Sequence, residues 1–196
     1  MAFDARRRRV LLFGGVNTDT KPPTVYGDTW VWDGASWHCN ANSGPVPRFA
    51  QAMAYDGSHG RIVLFSGRAA DLRPLNDTWE WDGRAWRQLR TAHTPSPRLL
   101  HALAYDEAGQ RLIVLGGWDA TEGGARYLPD TWQFKNNDWT RIEAPGPPPM
   151  RAHFMVGDRH RREIVLFGGY DDNQVYGDTW VWNGSVWRQQ PSMSRP

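Results

Sequence analysis

From Val10 the chain reads V-L-L-F and stops at two glycines, and the block returns as I-V-L-F-S-G from Ile62, L-I-V-L-G-G from Leu112 and I-V-L-F-G-G from Ile164. Apolar runs without polar alternation read as strands covered on both faces, as in a sheet stacked between two others. A shorter segment closed by an aspartate and a turn precedes each: Met1 to Asp4, Ala52 to Asp56, Ala102 to Asp106 and Phe154 to Asp158. After each run come Asp-Thr-Trp and two more strand formers, from Asp28, Asp77, Asp130 and Asp178. A fourth segment opens on Trp37, Trp86, Trp139 or Trp187. Asp33-Gly34, Asp82-Gly83 and Asn183-Gly184, with Asn136-Asn137 in the third unit, supply tight hairpins before it. The pattern predicts four units of four short strands.

The octapeptide V-Y-G-D-T-W-V-W occurs at Val25 and again at Val175, with diverged copies between them, so the chain repeats with a period of about fifty residues. The repeats fall at 1–47, 48–97, 98–150 and 151–196 of a single unit. Four-stranded units that bury both faces by stacking are blades of a β-propeller. Of the 12 tryptophans, all but Trp118 hold repeat-locked positions, and those of the Asp-Thr-Trp triplets, Trp79 and Trp180 among them, are expected to fill the wedges between blades.

With 40% apolar residues, 22% charged residues and a net charge of +2, the chain is neither a disordered tail nor a general polyanion binder. The single Cys39 excludes an internal disulfide, no Cys/His spacing suggests zinc, and together these lean towards a cytoplasmic location. The Arg-rich start precedes an apolar block too short for a signal peptide and recurring in every repeat, so it reads as a strand. No run approaches the roughly 20 apolar residues of a membrane span. Phosphate-loop, H-E-x-x-H, EF-hand and G-x-S-x-G signatures are absent, and nothing calls for a metal or cofactor.

The paired glycines after the second strand, the aromatic in the third, the tryptophan opening the fourth and the Pro-Arg before the next unit resemble the kelch repeat, across essentially the whole chain. The resemblance implies an all-β propeller of four contiguous four-stranded blades. Kelch propellers include partner-binding adaptors, actin-binding proteins and enzymes such as galactose oxidase, so it does not choose a function. The copper centre of galactose oxidase needs a cysteine crosslinked to tyrosine, whereas Cys39 lies just past Trp37 on a predicted outer strand, away from the channel.

The repeats differ most in the loops after Gly15, Gly67, Gly117 and Gly169, which in a propeller share a face with the links between blades. Those links supply Arg48, Arg98, Arg151 and Arg195, while Gln51, His101 and His153 hold one equivalent position at the start of the inner strands and are expected to ring the channel mouth. Guanidinium forks suit an anionic or polyhydroxylated ligand, or else tie neighbouring blades through a carboxylate or carbonyl. Trp118, with Arg68 and Tyr170 at equivalent loop positions, is a candidate stacking platform, and Asp71, Asp119, Glu122, Asp171 and Asp172 offer carboxylates. Two functions of different class fit. One is a binding module for a sugar-like or anionic small ligand or a protein; the other is a small hydrolase or isomerase using His101 or His153 as acid/base.

On the opposite face Arg6 to Arg9 and Arg159 to Arg162 should merge into one basic patch if the ring closes. No stacking aromatics flank these turns, which argues against nucleic acid as a partner. Every blade is contiguous, and Ser194-Arg195-Pro196 matches the Pro47-Arg48 and Pro97-Arg98 junctions that lead into a new blade. The expectation is a head-to-tail homodimer completing eight blades through repeat 4 and repeat 1, the alternative a closed four-bladed ring.

Overall fold

The computed structural model describes residues 1–40, 44–119 and 126–191, and all regular structure there is strand. Blade 1 is the antiparallel sheet Ala2–Asp4, Arg9–Asn17, Thr24–Trp32 and Trp37–Cys39. Blade 2 comprises Ala52–Asp56, Arg61–Ala69, Pro74–Trp81 and Trp86–Leu89, with the linker strand Arg48–Phe49 added on the end of its second strand. Ala102–Asp106, Arg111–Leu115, Thr131–Lys135 and Asp138–Ile142 make blade 3, which also carries a small hairpin of Trp118–Asp119 on Arg126–Tyr127. Phe154–Asp158, Glu163–Phe167, Thr179–Trp182 and Trp187–Gln189 make blade 4.

The glycine pair is explained by the backbone it must adopt. Gly14-Gly15, Gly116-Gly117 and Gly168-Gly169 all have positive φ, and in blades 1 and 2 the ladder to the third strand shifts register at this point. A bulge of this kind needs left-handed residues, which glycine adopts without a steric penalty. Ser66 takes the same conformation at φ 62° in blade 2. Its hydroxyl donates to the Leu75 carbonyl and accepts the Arg98 amide, which holds the strained turn in place.

Cross-strand pleating sends alternate residues of each second strand to opposite neighbours. Leu11 and Phe13 of blade 1 meet Ile62 and Leu64 of blade 2; Val63 and Phe65 meet Leu112 and Val114 of blade 3; Ile113 and Leu115 meet Ile164 and Leu166 of blade 4. Each junction carries the same buried hydrogen bond from the tryptophan that opens a fourth strand to the threonine of the preceding blade's Asp-Thr-Trp. The distances are 3.0 Å for Trp86 Nε1 to Thr29 Oγ1, 2.9 Å for Trp139 to Thr78 and 3.2 Å for Trp187 to Thr131. Near the axis the links are laced by backbone bonds, Leu100 N to Ala50 O at 3.1 Å and Ala152 N to Leu100 O at 2.8 Å.

The buried wedge is built from Trp81, Trp86, Trp139, Trp182 and Trp187. Trp79 and Trp180, expected from the sequence to be buried between blades, are only partly covered. Trp79, like Trp30 and Trp132, turns its indole N–H back to the aspartate two residues earlier, 2.7 Å away for Trp79.

Blades 1 to 4 pack in sequence, and among the described residues no comparable packing joins blade 4 to blade 1. Phe167 of blade 4 is 54% exposed, whereas its equivalents Phe13, Phe65 and Leu115 are at most 2% exposed.

Candidate functional site

Links and variable loops do share one face. The link strand at Arg48 pairs with the loop arm at Ala69, Leu99 bridges to Trp118, and Arg151 bridges to Tyr170. The side chains on that face divide into two groups.

Arg48 and Arg98 are fully buried. Arg48 grips Asp77 through both terminal nitrogens, at 2.6 and 2.8 Å, and reaches the Ser66 and Val46 carbonyls. Arg98 repeats this on Asp130, at 3.1 Å for each contact, and on the Gly116 carbonyl. Burial pushes the Asp77 and Asp130 carboxyls up, but the guanidinium forks override it and hold both below the usual carboxylate range. These hydrogen bonds run into the blade, so the two arginines fasten a link to the third strand it precedes. Gln51 and His153 form a second set of staples, from Gln51 Nε2 to Phe13 O at 2.8 Å and from His153 Nε2 to Leu115 O at 3.2 Å. Each ties an inner strand to the preceding blade. His101, at the same position, stacks edge-on against Phe65.

His101 and His153 are therefore 6% and 4% exposed rather than open at the channel mouth. Burial, with a smaller contribution from Arg98, lowers His101 well below the ordinary histidine range, and burial lowers His153 to about 4. Both are neutral in the fold at neutral pH. Since the unfolded chain binds their protons more tightly, the stability they contribute is complete above about pH 6.5; the His153 share is lost as pH falls towards 4, and the His101 share as pH falls through its own lowered range. His153 alone accounts for roughly 3 kcal/mol over that window. Replacing both with Gln should flatten the acid limb of stability measured by urea unfolding between pH 7 and 4; an unchanged limb would refute the assignment.

Arg151 is a different case. Counting back from the inner strand, Met150 and not Arg151 is the counterpart of Arg48 and Arg98, and Met150 is buried in their place. Arg151 corresponds to Phe49 and Leu99, on the loop side. Its guanidinium carbon lies 4.8 Å from the Trp118 ring centre, 4.9 Å from Tyr170 and 5.4 Å from Tyr127. Among the described residues its ion-pair partner is Asp172, at 4.0 Å, which also accepts the Tyr127 hydroxyl; that bond raises the Tyr127 pKa. Asp171 shapes the loop by accepting from the Tyr176 hydroxyl at 2.6 Å and from the Asn173 and Gln174 amides, and its carboxyl is lowered chiefly by Tyr176. Asp119 is buried beside Arg126. Arg68 bonds the Leu72 carbonyl in blade 2. Trp118, Arg151, Tyr170, Asp171 and Asp172 are thus brought together, Arg68 stands apart, and Arg195 and Glu122 lie outside the described residues. Tyr127 went unnoticed in the sequence.

On the opposite face several of the turn arginines are engaged. Arg7 bonds Asp4 and the Gly60 carbonyl, Arg159 pairs with Glu107 at 2.8 Å, and Arg161 pairs with Asp158 at 2.8 Å. Arg61 and Arg111 reach across to the hairpins of the next blades at Asn137 and Gly184.

Stacked four-stranded blades with left-handed pairs after the second strand and a tryptophan bonded across each junction define a kelch-type β-propeller. The chain belongs to the KLHDC2/KLHL20/DRC7 Kelch-repeats domain family, which it matches over residues 1–192. It is 28% identical over 158 residues to Kelch domain-containing protein 10 of Xenopus laevis, covering 74% of this chain and 37% of that protein. The Xenopus tropicalis protein of the same name is 29% identical over 143 residues, 67% of this chain and 33% of its own length. The flagellar outer-arm dynein alpha chain of Chlamydomonas reinhardtii is 37% identical over 94 residues, 45% of this chain and 2% of the dynein. The chain spans about a third of the length of the two Xenopus relatives.

Proposed function

We propose that this kelch propeller is a protein-binding module whose loop face over blades 3 and 4 takes a carboxylate-bearing segment of its partner. The carrying observation is Arg151. Its side chain is 21% exposed, is held among three aromatic rings, and among the described residues has only Asp172 as an ion-pair partner, at 4.0 Å. A guanidinium oriented by aromatic faces but not consumed by an internal ion pair is set to receive a carboxylate from outside. Arg48 and Arg98, by contrast, are fully buried and spend their forks on Asp77 and Asp130. The hydrolase or isomerase reading loses its acid/base groups, because His101 and His153 are enclosed between blades.

Fluorescence anisotropy on peptides rich in Asp and Glu, with their Asn and Gln counterparts as controls, tests the reading. Binding should favour the carboxylate peptides and fall about tenfold or more in Arg151→Ala, as expected for a charge-assisted hydrogen bond of roughly 1.5–3 kcal/mol. Arg151→Lys should recover only part of it, because an ammonium is a point charge without a planar stacking face. Equal binding of the acidic and amide series would overturn the proposal. Inhibition by free succinate at the same molar affinity would reassign the site to a small anion.

A further inference from the structure

On the face opposite the loops, blades 2 and 3 close their junctions with one polar device, and blade 1 lacks a part of it. Blade 2 shows it complete. Arg61, at the head of the second strand, donates through Nε to Asp56 at 3.1 Å, through Nη1 to Glu80 and through Nη2 to Asn137 of blade 3 at 2.6 Å. Arg87, opposite Glu80 on the fourth strand, donates to the same carboxylate at 2.7 Å. Glu80 is thus a buried carboxylate between two guanidinium groups. Blade 3 has Gln133 in that place, where it accepts from Arg111.

In blade 1 the strand register puts Val31 at the position of Glu80, Arg9 at that of Arg61 and His38 at that of Arg87. The acceptor is gone and the guanidinium remains. Asp4, the counterpart of Asp56, is taken by Arg7 at 2.8 Å, and Arg9 stands exposed with, among the described residues, none of the contacts that Arg61 makes. A second position changes as well. Leu89 and Ile142 end the fourth strands of blades 2 and 3 opposite the triplet threonines and pack into the junctions that follow, whereas Asn40 holds that place in blade 1.

At these two altered positions lies a cavity of about 310 Å³ between blades 1 and 2, bordered by Arg9, Val31 and Asn40. Its base is Leu11, Ile62 and Trp81, each at most 2% exposed. The carboxylates on its wall are already paired, Asp4 with Arg7 and Asp33 with His38 at 2.8 Å and with the Ala35 and Ser36 amides. The charge left without a partner is that of Arg9. Both walls belong to a junction that the chain completes.

We propose that this cavity binds a small carboxylate on an apolar stem, with the carboxylate on Arg9 where blade 2 keeps its own Glu80 and the stem against Leu11, Ile62 and Trp81. Small-ligand sites are concave, chiefly apolar and begin at about 300 Å³. A guanidinium fork binds a carboxylate through paired charge-assisted hydrogen bonds. The site lies on the opposite face from Arg151 and does not rest on the role given to that residue.

Backbone-amide NMR titration of the whole chain with 3-phenylpropionate, and with 3-phenylpropionamide as the uncharged control, tests the proposal. The acid should give saturable shifts at Leu11, Val31 and Ile62, and the amide should bind about tenfold more weakly or worse, as expected when a charge-assisted hydrogen bond is lost. Arg9→Gln, a change on an exposed side chain, should weaken the acid by a similar factor and leave the remaining spectrum in place. Val31→Glu should abolish binding at the cavity, because a tethered carboxylate then meets Arg9 as Glu80 meets Arg61; the dispersion of its spectrum reports its fold, and Arg9→Gln decides the matter if that fold is lost. Equal affinity for acid and amide overturns the proposal, and so does full affinity in Arg9→Gln. Saturable shifts confined to the amides around Trp118 and Tyr170 would assign the probe to Arg151 and overturn it as well.

Discussion

Trp139→Ala should lower the stability of the protein by roughly 3–5 kcal/mol, the cost of lost transfer energy plus a cavity that its neighbours close only in part. Trp139 is fully buried, with ring centroids 4.6 Å from Phe65 of the preceding blade and 4.9 Å from Phe134 of its own. Its indole donates to Thr78, so truncation also strands a buried hydroxyl. A domain's whole stability is typically about 5–15 kcal/mol, so the variant stands near the edge of folding at 37 °C. Trp118→Ala, in a loop hairpin, should cost about 1 kcal/mol or less, because no wedge between blades collapses. Urea unfolding of the two variants side by side is the check; equal midpoints would mean that the indoles are not divided between scaffold and loop face as described.

The second large effect is expected at Arg98. Arg98→Met should cost roughly 3–5 kcal/mol, because removing one partner of a buried ion pair leaves Asp130 with its charge uncompensated. Adding Asp130→Asn should restore most of the loss, since the amide oxygen still accepts from Trp132 and no buried charge remains. Blade 4 carries the methionine without the amide, and there the aspartate, Asp178, is only partly covered. Met150 fills the arginine position there, no ion pair reaches Asp178 among the described residues, and the Trp180 indole nitrogen has no partner. If single and double variants unfold at the same urea concentration, the pair contributes through packing rather than charge.

The repeat made the fold readable. Glycine pairs, Asp-Thr-Trp triplets and hairpin turns recur at fixed offsets, and each offset corresponds to one backbone event: a bulge, a strand head or a reversal. The threonine of the triplet was equally legible as a recurring residue, but its task was not, because its partner lies 57 or 61 residues downstream in another blade. The site was harder still. A proline-rich link, A-P-G-P-P-P-M-R, places an arginine one residue from the position that Arg48 and Arg98 occupy, and matching by residue type put Arg151 in their company. Counting from His153 assigns it correctly. Nothing local to Tyr127 or Asp172 indicates that they meet, since they belong to loops of different repeats and are brought together only by blade stacking.

Each completed junction places the indole on the later blade and the alcohol on the earlier one, so the array has a direction, like a polymer with a head and a tail. Its strand content is then free to change only in whole repeats. Excision from Thr29 to just before Thr78 would deliver the Trp139 indole to an Asp-Thr-Trp carrying the same alcohol in the same register, and insertion of one further unit would do the same. A cut of half that size removes a donor without its acceptor and leaves a two-sided sheet with one bare side. Recombination between equivalent codons can therefore lengthen or shorten such a gene by whole blades, whereas loop lengths vary freely between the strands.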